Sequence, residues 1–196
     1  MNEKTTKQIE EMMNQTIGVE VEMNNITRTK AAQLAAEFFG TRRHENTAGR
    51  NGYDTYSAWD GEGREWKFQK DVSIHGPDSE KCELVTPILT YADMETLQEL
   101  IRRLRKAGAK SDATRGCGVH IHIGAKGHTP QTLRNLANIM ASHESLLASA
   151  LNLDRSRMNR YCRTVSKDFL VELNRKKPKT MAALADTWYG RQNGGC

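Results

Sequence analysis

The chain has 196 residues, of which 37% are hydrophobic and 27% charged, with a formal net charge of +5. That is long enough for one ordinary domain with a real core; the balance is not that of a disordered chain, and no run approaches the ~18 apolar residues of a membrane span. The opening residues, Met1-Asn2-Glu3-Lys4, run into polar sequence rather than an apolar segment, so no secretory signal is expected. The four cysteines (82, 117, 162 and 196) are far apart and form no disulfide framework, which points to a reduced, cytoplasmic protein.

Taken in chain order, residues 3–14 read as a short helix with Ile9, Met12 and Met13 on one side, and 16–23 as the first strand. Thr29 is placed to cap a helix that runs through Phe39 and stops at Gly40. Residues 41–52, polar and glycine-containing, read as a loop. Tyr53–Trp59 and Arg64–Lys70 flank Asp60-Gly61-Glu62-Gly63, the pattern of a β-hairpin. In its second strand Trp66 and Phe68 point to the core, while Glu65, Lys67, Gln69 and Asp71 point away. Residues 72–80 form a loop, and Lys81–Thr86 a strand ended by Pro87. An amphipathic helix covers 92–107, a strand 117–123, and a long helix runs from Thr129-Pro130 to about Leu151. Short basic helices fill 154–187, and the end, 189–196, reads as a loop. Hairpins and alternating strands predict an α+β fold with a mainly antiparallel sheet, helices on one face and an open polar face.

Two strands concentrate potential metal ligands. Gly18-Val19-Glu20-Val21-Glu22 and Gly118-Val119-His120-Ile121-His122-Ile123-Gly124 alternate apolar residues with carboxylates or imidazoles. Residues two apart in a strand share a face, so Glu20 and Glu22 fall together, as do His120 and His122. Glu83 alternates with Leu84 on a third strand, and Lys67 stands on a fourth. Carboxylates from several strands suit Mg²⁺ or Mn²⁺, and an imidazole suits Mn²⁺ well. Exposed Glu on an outer face is also common without any metal. Cys117, His120 and His122 are an alternative zinc set for a hydrolase or a structural site, although Cys117 and His120 are an odd number apart and a regular strand points them to opposite faces. No Walker-type loop, Gly-x-Gly-x-x-Gly loop or Gly-x-Ser-x-Gly elbow occurs.

Charge is uneven. Residues 155–179 hold nine Lys or Arg against Asp168 and Glu172, a local +7 that leaves about −2 elsewhere. Such a stretch could bind nucleotide phosphates, face solvent, or serve a non-catalytic module that docks on nucleic acid. The absence of aromatic interleaving or a DNA-binding motif argues against the last.

The motifs in order are Gly-Val-Glu-Val-Glu at 18–22, Trp66-Lys67-Phe68-Gln69-Lys70-Asp71, Cys82-Glu83-Leu84-Val85-Thr86-Pro87, Cys117-Gly118-Val119-His120-Ile121-His122 and Arg160-Tyr161-Cys162. Together they resemble the amidoligase family, carboxylate–amine ligases related to glutamine synthetase and glutamate–cysteine ligase. The resemblance spans residues 16–190 as one catalytic domain, with 1–15 as an N-terminal extension and 191–196 as a loop-like tail.

It implies a glutamine synthetase-like sheet whose concave face holds ATP and Mg²⁺ or Mn²⁺. Glu20, Glu22, Glu83 and His120 match metal ligands, and Lys67 and Asp71 match positions near nucleotide or substrate, with a catalytic part. His122, Lys67, Arg160 and Arg163 match phosphate-binding positions. The implied reaction joins a carboxylate to an amine, of an amino acid or peptide, through an acyl phosphate. Related ligases often assemble, so a homo-oligomer is within the expectation, while no membrane partner is. The family continues into a further strand bearing a Glu-Phe-Arg type motif, which this sequence does not reach. The expected sheet therefore lacks C-terminal strands, and activity in this form is in question.

Overall fold

The computed structural model describes residues 3–49 and 52–190. The chain divides into two compact units, Met1–Gly124 and Ala125–Cys196. Among the described residues no helix is long and apolar enough to cross a membrane.

The first unit begins with helix α1 (Glu3–Met13), followed by strand β1 (Ile17–Met23), helix α2 (Arg28–Phe38) and strand β2 (His44–Asn46). Strands β3 (Tyr56–Trp59), β4 (Glu65–Gln69) and β5 (Cys82–Val85), helix α3 (Met94–Lys106) and strand β6 (Val119–Ile123) complete it. The strands form one antiparallel sheet in the order β2-β3-β4-β5-β1-β6. The α+β architecture with an antiparallel sheet is thus what the alternating pattern predicts.

Helix α2 starts two residues earlier than a Thr29 cap suggests. Thr27, in extended conformation, accepts the Lys30 amide through its side chain and is the true cap. Its residues Ala31, Ala32, Ala35 and Ala36 are buried, and their small size lets the helix lie close on β3 and β4. Trp66, Phe68, Leu84, Leu100 and Leu104 fill the layer between helices and sheet with no measurable exposure beyond 1%. Each such side chain contributes roughly 1.5–3 kcal/mol by leaving water. Residues 41–52 contain the three-residue strand β2, which carries no apolar alternation and is recruited by pairing with β3.

Two polar hubs anchor the loops. The buried Arg28 guanidinium donates to the carbonyls of Asp54, Asp78 and Lys81 and pairs with the Asp54 carboxylate. Asp60, at the hairpin turn, accepts from the amides of Glu62 and Arg64, the Arg64 guanidinium and the Trp66 indole. Arg64 in turn bridges to Asp93 at 2.9 Å, tying the hairpin to the start of α3.

Strand β5 ends at Val85, ahead of Pro87, as proline's missing donor requires. The Val19 amide is satisfied instead by the Thr86 hydroxyl at 2.9 Å. Pairing resumes at Ile17 and Leu89 with a one-residue shift in register. Strand β6 is outermost among the described residues. Its apolar residues Val119, Ile121 and Ile123 are exposed, so the predicted apolar backing of the two histidines has no cover within this unit.

The second unit is helical: α4 (Pro130–Ala150), α5 (Arg155–Arg160), α6 (Lys167–Lys176) and α7 (Met181–Tyr189). Thr129 caps α4, with Pro130 in its first position as predicted. Ala137, Leu173 and Leu184 form its small core with Leu133, Phe169 and Leu170, and Trp188 meets Phe169 edge-on at 4.9 Å. Helix α7 runs to Tyr189, where a loop was expected; residues 191–196 lie outside the described residues.

Candidate functional site

Register brings the candidate ligands together. Glu22 stands opposite Glu83, which stands opposite Gln69, in one row across β1, β5 and β4. In the next row Lys67 faces Val85, Val85 faces Glu20, and Glu20 faces His120. Gly18 faces His122. All these positions lie on the sheet face away from the Trp66 and Phe68 core, because strand alternation sends neighbours to opposite sides.

Glu20 is held between the two imidazoles, with Nδ1 of His120 at 2.9 Å from one oxygen and Nε2 of His122 at 3.3 Å from the other. Glu83 is 5% exposed and accepts from Gln69 Nε2 at 2.9 Å. Burial pushes its carboxyl above the usual range; the Gln69 bond opposes this, and the charges of Glu20, Asp71 and Glu22 add to it. Glu22 is also buried. One of its oxygens accepts the Gly118 amide at 2.6 Å, and the other faces the Ser73 hydroxyl at 3.4 Å.

Two groups of donor atoms result. Glu20, Glu83 and His120 offer atoms within 4.8 Å of one another, and so do Glu22, Asp71 and Glu83. Glu83 belongs to both. Among the described residues no Lys or Arg forms an ion pair with any of these four carboxylates. Oxygen donors in excess, one imidazole and uncompensated negative charge fit a hard divalent cation.

The family described as "Putative amidoligase enzyme" matches residues 13–195. The chain belongs to this family. No curated protein and no solved structure matches it.

The remaining predicted residues are placed as follows. Lys67 is on the same face, half exposed, with its ammonium 3.7 Å from Glu65 rather than on the carboxylate cluster. Asp71, just past β4, reaches Glu22 and Glu83, because it continues the parity of Lys67 and Gln69 beyond the strand end. Arg160 and Arg163 belong to the second unit. There the Arg160 guanidinium lies 5.2 Å from the Tyr161 ring centre, and Arg163 donates to the Asn159 carbonyl at 3.2 Å. Cys117 is buried and directs its thiol toward the Arg115 carbonyl at 3.7 Å. Among the described residues it joins neither donor group, so the Cys117/His120/His122 zinc set is not assembled.

The structure adds Ser73 and the Gly118 amide, which sequence reading did not single out. A backbone N–H has no residue signature. Ser73 did have one: it stands two residues after Asp71, where a side chain or amide can close a local turn on a carboxylate.

Proposed function

We propose that this chain is an ATP-dependent carboxylate–amine ligase that uses Mg²⁺ or Mn²⁺. The observation that carries the reading is the pair of three-donor groups sharing Glu83 on the polar face of the sheet. One cation would be held by Glu20, Glu83 and His120, the other by Glu22, Asp71 and Glu83. When bound, the cations neutralise the transferring phosphoryl group and align the attacking and leaving oxygens.

The chain's own residues do the rest. A cleft of about 410 Å³, lined in part by Lys67, Val85, Thr86, Pro87 and Ile88, opens one strand away from Glu20. It seats a substrate, with Lys67 supplying positive charge to a phosphate or carboxylate. The substrate carboxylate oxygen bonds to the γ-phosphorus as the bond to the ADP oxygen breaks, giving an acyl phosphate. An amine then bonds to the acyl carbon, phosphate leaves, and the ammonium proton passes to a carboxylate of the cluster. His122 holds the second Glu20 oxygen, and on the family resemblance we assign it to phosphate binding. We assign Arg160 and Arg163 to phosphate binding on the family resemblance, and an amino acid or peptide as the source of carboxylate and amine.

Incubation of the full chain with ATP, Mn²⁺ or Mg²⁺ and a panel of amino acids and dipeptides tests this, with hydroxylamine as the amine. Hydroxylamine traps an acyl phosphate as a hydroxamate. The expected result is ADP and hydroxamate in equal amounts, neither formed without a divalent cation. ADP without hydroxamate from any carboxylate, or no binding of Mn²⁺ to the protein, overturns the reading.

A further inference from the structure

Two loops beside the donor groups are fastened to each other residue by residue. One is 71–75, following β4; the other is 112–118, leading into β6. The His75 amide donates to the Arg115 carbonyl at 2.8 Å, and His75 Nδ1 lies 3.1 Å from the Thr114 carbonyl oxygen. Asn24, at the end of β1, spans both: its side-chain amide donates to the His75 carbonyl at 3.0 Å, and its oxygen accepts from Arg115 at 3.3 Å. On the site side, the Ser73 amide donates to Asp71 at 2.6 Å, and the Gly118 amide donates to Glu22 at 2.6 Å.

The two loops also press together at Gly116. Its φ is +73°, in the left-handed region, and a Cβ there would lie 2.5 Å from the Ser73 carbonyl oxygen and 3.0 Å from the His75 ring. A contact of 2.5 Å with backbone cannot be relieved by turning a side chain, so the loops would have to part. Ser73 carries on its amide the bond that orients Asp71. Gly118, two residues beyond Gly116, carries the bond that orients Glu22. Parting the loops therefore pulls on both carboxylates of one donor group and leaves Glu20 and His120, on paired strands, in place.

We infer that Gly116 is a positioning residue for the Glu22/Asp71/Glu83 group: by letting loop 112–118 close on loop 71–75, it holds Asp71 and Glu22 in ligating geometry. The inference rests on the proposed cation sites, and it predicts an effect on one of them only.

The test uses Mn²⁺ titration and the amide spectrum of the full chain. The short bond to a carboxylate places the Gly118 amide proton far downfield in the metal-free protein. Gly116→Ala is expected to move that resonance upfield and to weaken one of two Mn²⁺ sites at least about tenfold, the scale seen when a ligand loses its supporting bond. Gly63→Ala is the control. Its φ is +78°, but nothing lies within 4 Å of its added Cβ, so it carries the backbone strain alone and should change neither readout. Gly116→Asn separates the two causes, because Asn tolerates the left-handed backbone yet still brings a Cβ. It is expected to behave as Ala does; rescue by Asn overturns the close contact as the cause.

Should Gly116→Ala fail to fold, Asn24→Ala decides, because it removes the side chain that spans both loops; a displaced Gly118 resonance and one weakened Mn²⁺ site are expected. Retention of both readouts in Gly116→Ala, or in Asn24→Ala as the fallback, overturns the inference. A wild-type protein that binds no Mn²⁺ refutes the proposed cation sites, while the Gly118 resonance in Gly116→Ala still decides whether the loops are interlocked.

Discussion

Glu83→Gln is expected to abolish ligation and cation binding while leaving the metal-free protein at least as stable as before. Glu83 is the one carboxylate common to both donor groups, so its neutralisation removes a ligand from each. A loss on the order of 10²–10³-fold in turnover follows from removing a preorganised charge at the reacting centre. Stability moves the other way. Without a cation, buried Glu83 lies against the charges of Glu20, Asp71 and Glu22, which push its carboxyl upward together with burial. Gln keeps the shape and can still accept from Gln69 through its carbonyl oxygen. Removing the charge should therefore stabilise the metal-free fold at neutral pH, where the raised carboxyl is ionised at a cost. Denaturation without cations, Mn²⁺ titration and ADP release measure the three quantities. A variant that loses activity only because it unfolds would contradict the argument, as would one that keeps both Mn²⁺ sites.

Asp60→Ala should be the costliest substitution outside the site. The carboxylate is 7% exposed and accepts from two amides, one guanidinium and the Trp66 indole, whose ring has 0% exposure. Alanine leaves a buried N–H with no acceptor and frees Arg64 from one of its anchors. A loss of about 3 kcal/mol is expected, or a fall of roughly 10 °C in melting temperature. Asp60→Asn, which retains an acceptor for the indole, should lose less.

Acid gives a second signature. Burial pushes Asp60 upward, but the indole, the Arg64 amide and the Arg64 guanidinium outweigh it and hold the carboxyl below its usual value. Asp93 is likewise lowered, first by its bond from Arg64. Groups with depressed folded-state values add stability that is fully present above the unfolded value, near 3.9, and is lost as pH falls through the folded values. The wild type should therefore lose stability steeply below about pH 4, and Asp60→Asn less steeply. Parallel acid limbs for the two proteins would contradict this account.

The parts of the site that strands build were legible in the sequence. Alternation assigns Glu20, Glu22, Glu83, His120 and His122 to faces without knowledge of the fold, and antiparallel pairing does the rest. Asp71 was legible as a residue of that face but not as a neighbour of Glu22 and Glu83, because its position depends on how the chain turns after Gln69. Strand β2 was invisible: His44, Glu45 and Asn46 have neither alternation nor β-branching, and only the β3 edge makes them a strand. Thr27 and Thr29 are the same residue type and cap equally well from sequence, and only the extended backbone at Thr27 decides between them. Gly116 carries its information in what a missing Cβ would strike, which no single-sequence pattern records.

Glu83, Glu20 and His120 sit on three adjacent strands, β5, β1 and β6. Among the described residues the first two strands are paired on both sides, whereas β6 is paired on one. A cation gripping all three would act as a transverse pin through the sheet, adding its binding free energy to the pairing of the rim strand. Amide exchange along Val119–Ile123 would then slow on loading far more than exchange along Cys82–Val85, so the rim strand would report occupancy of the site at a distance from any catalysis.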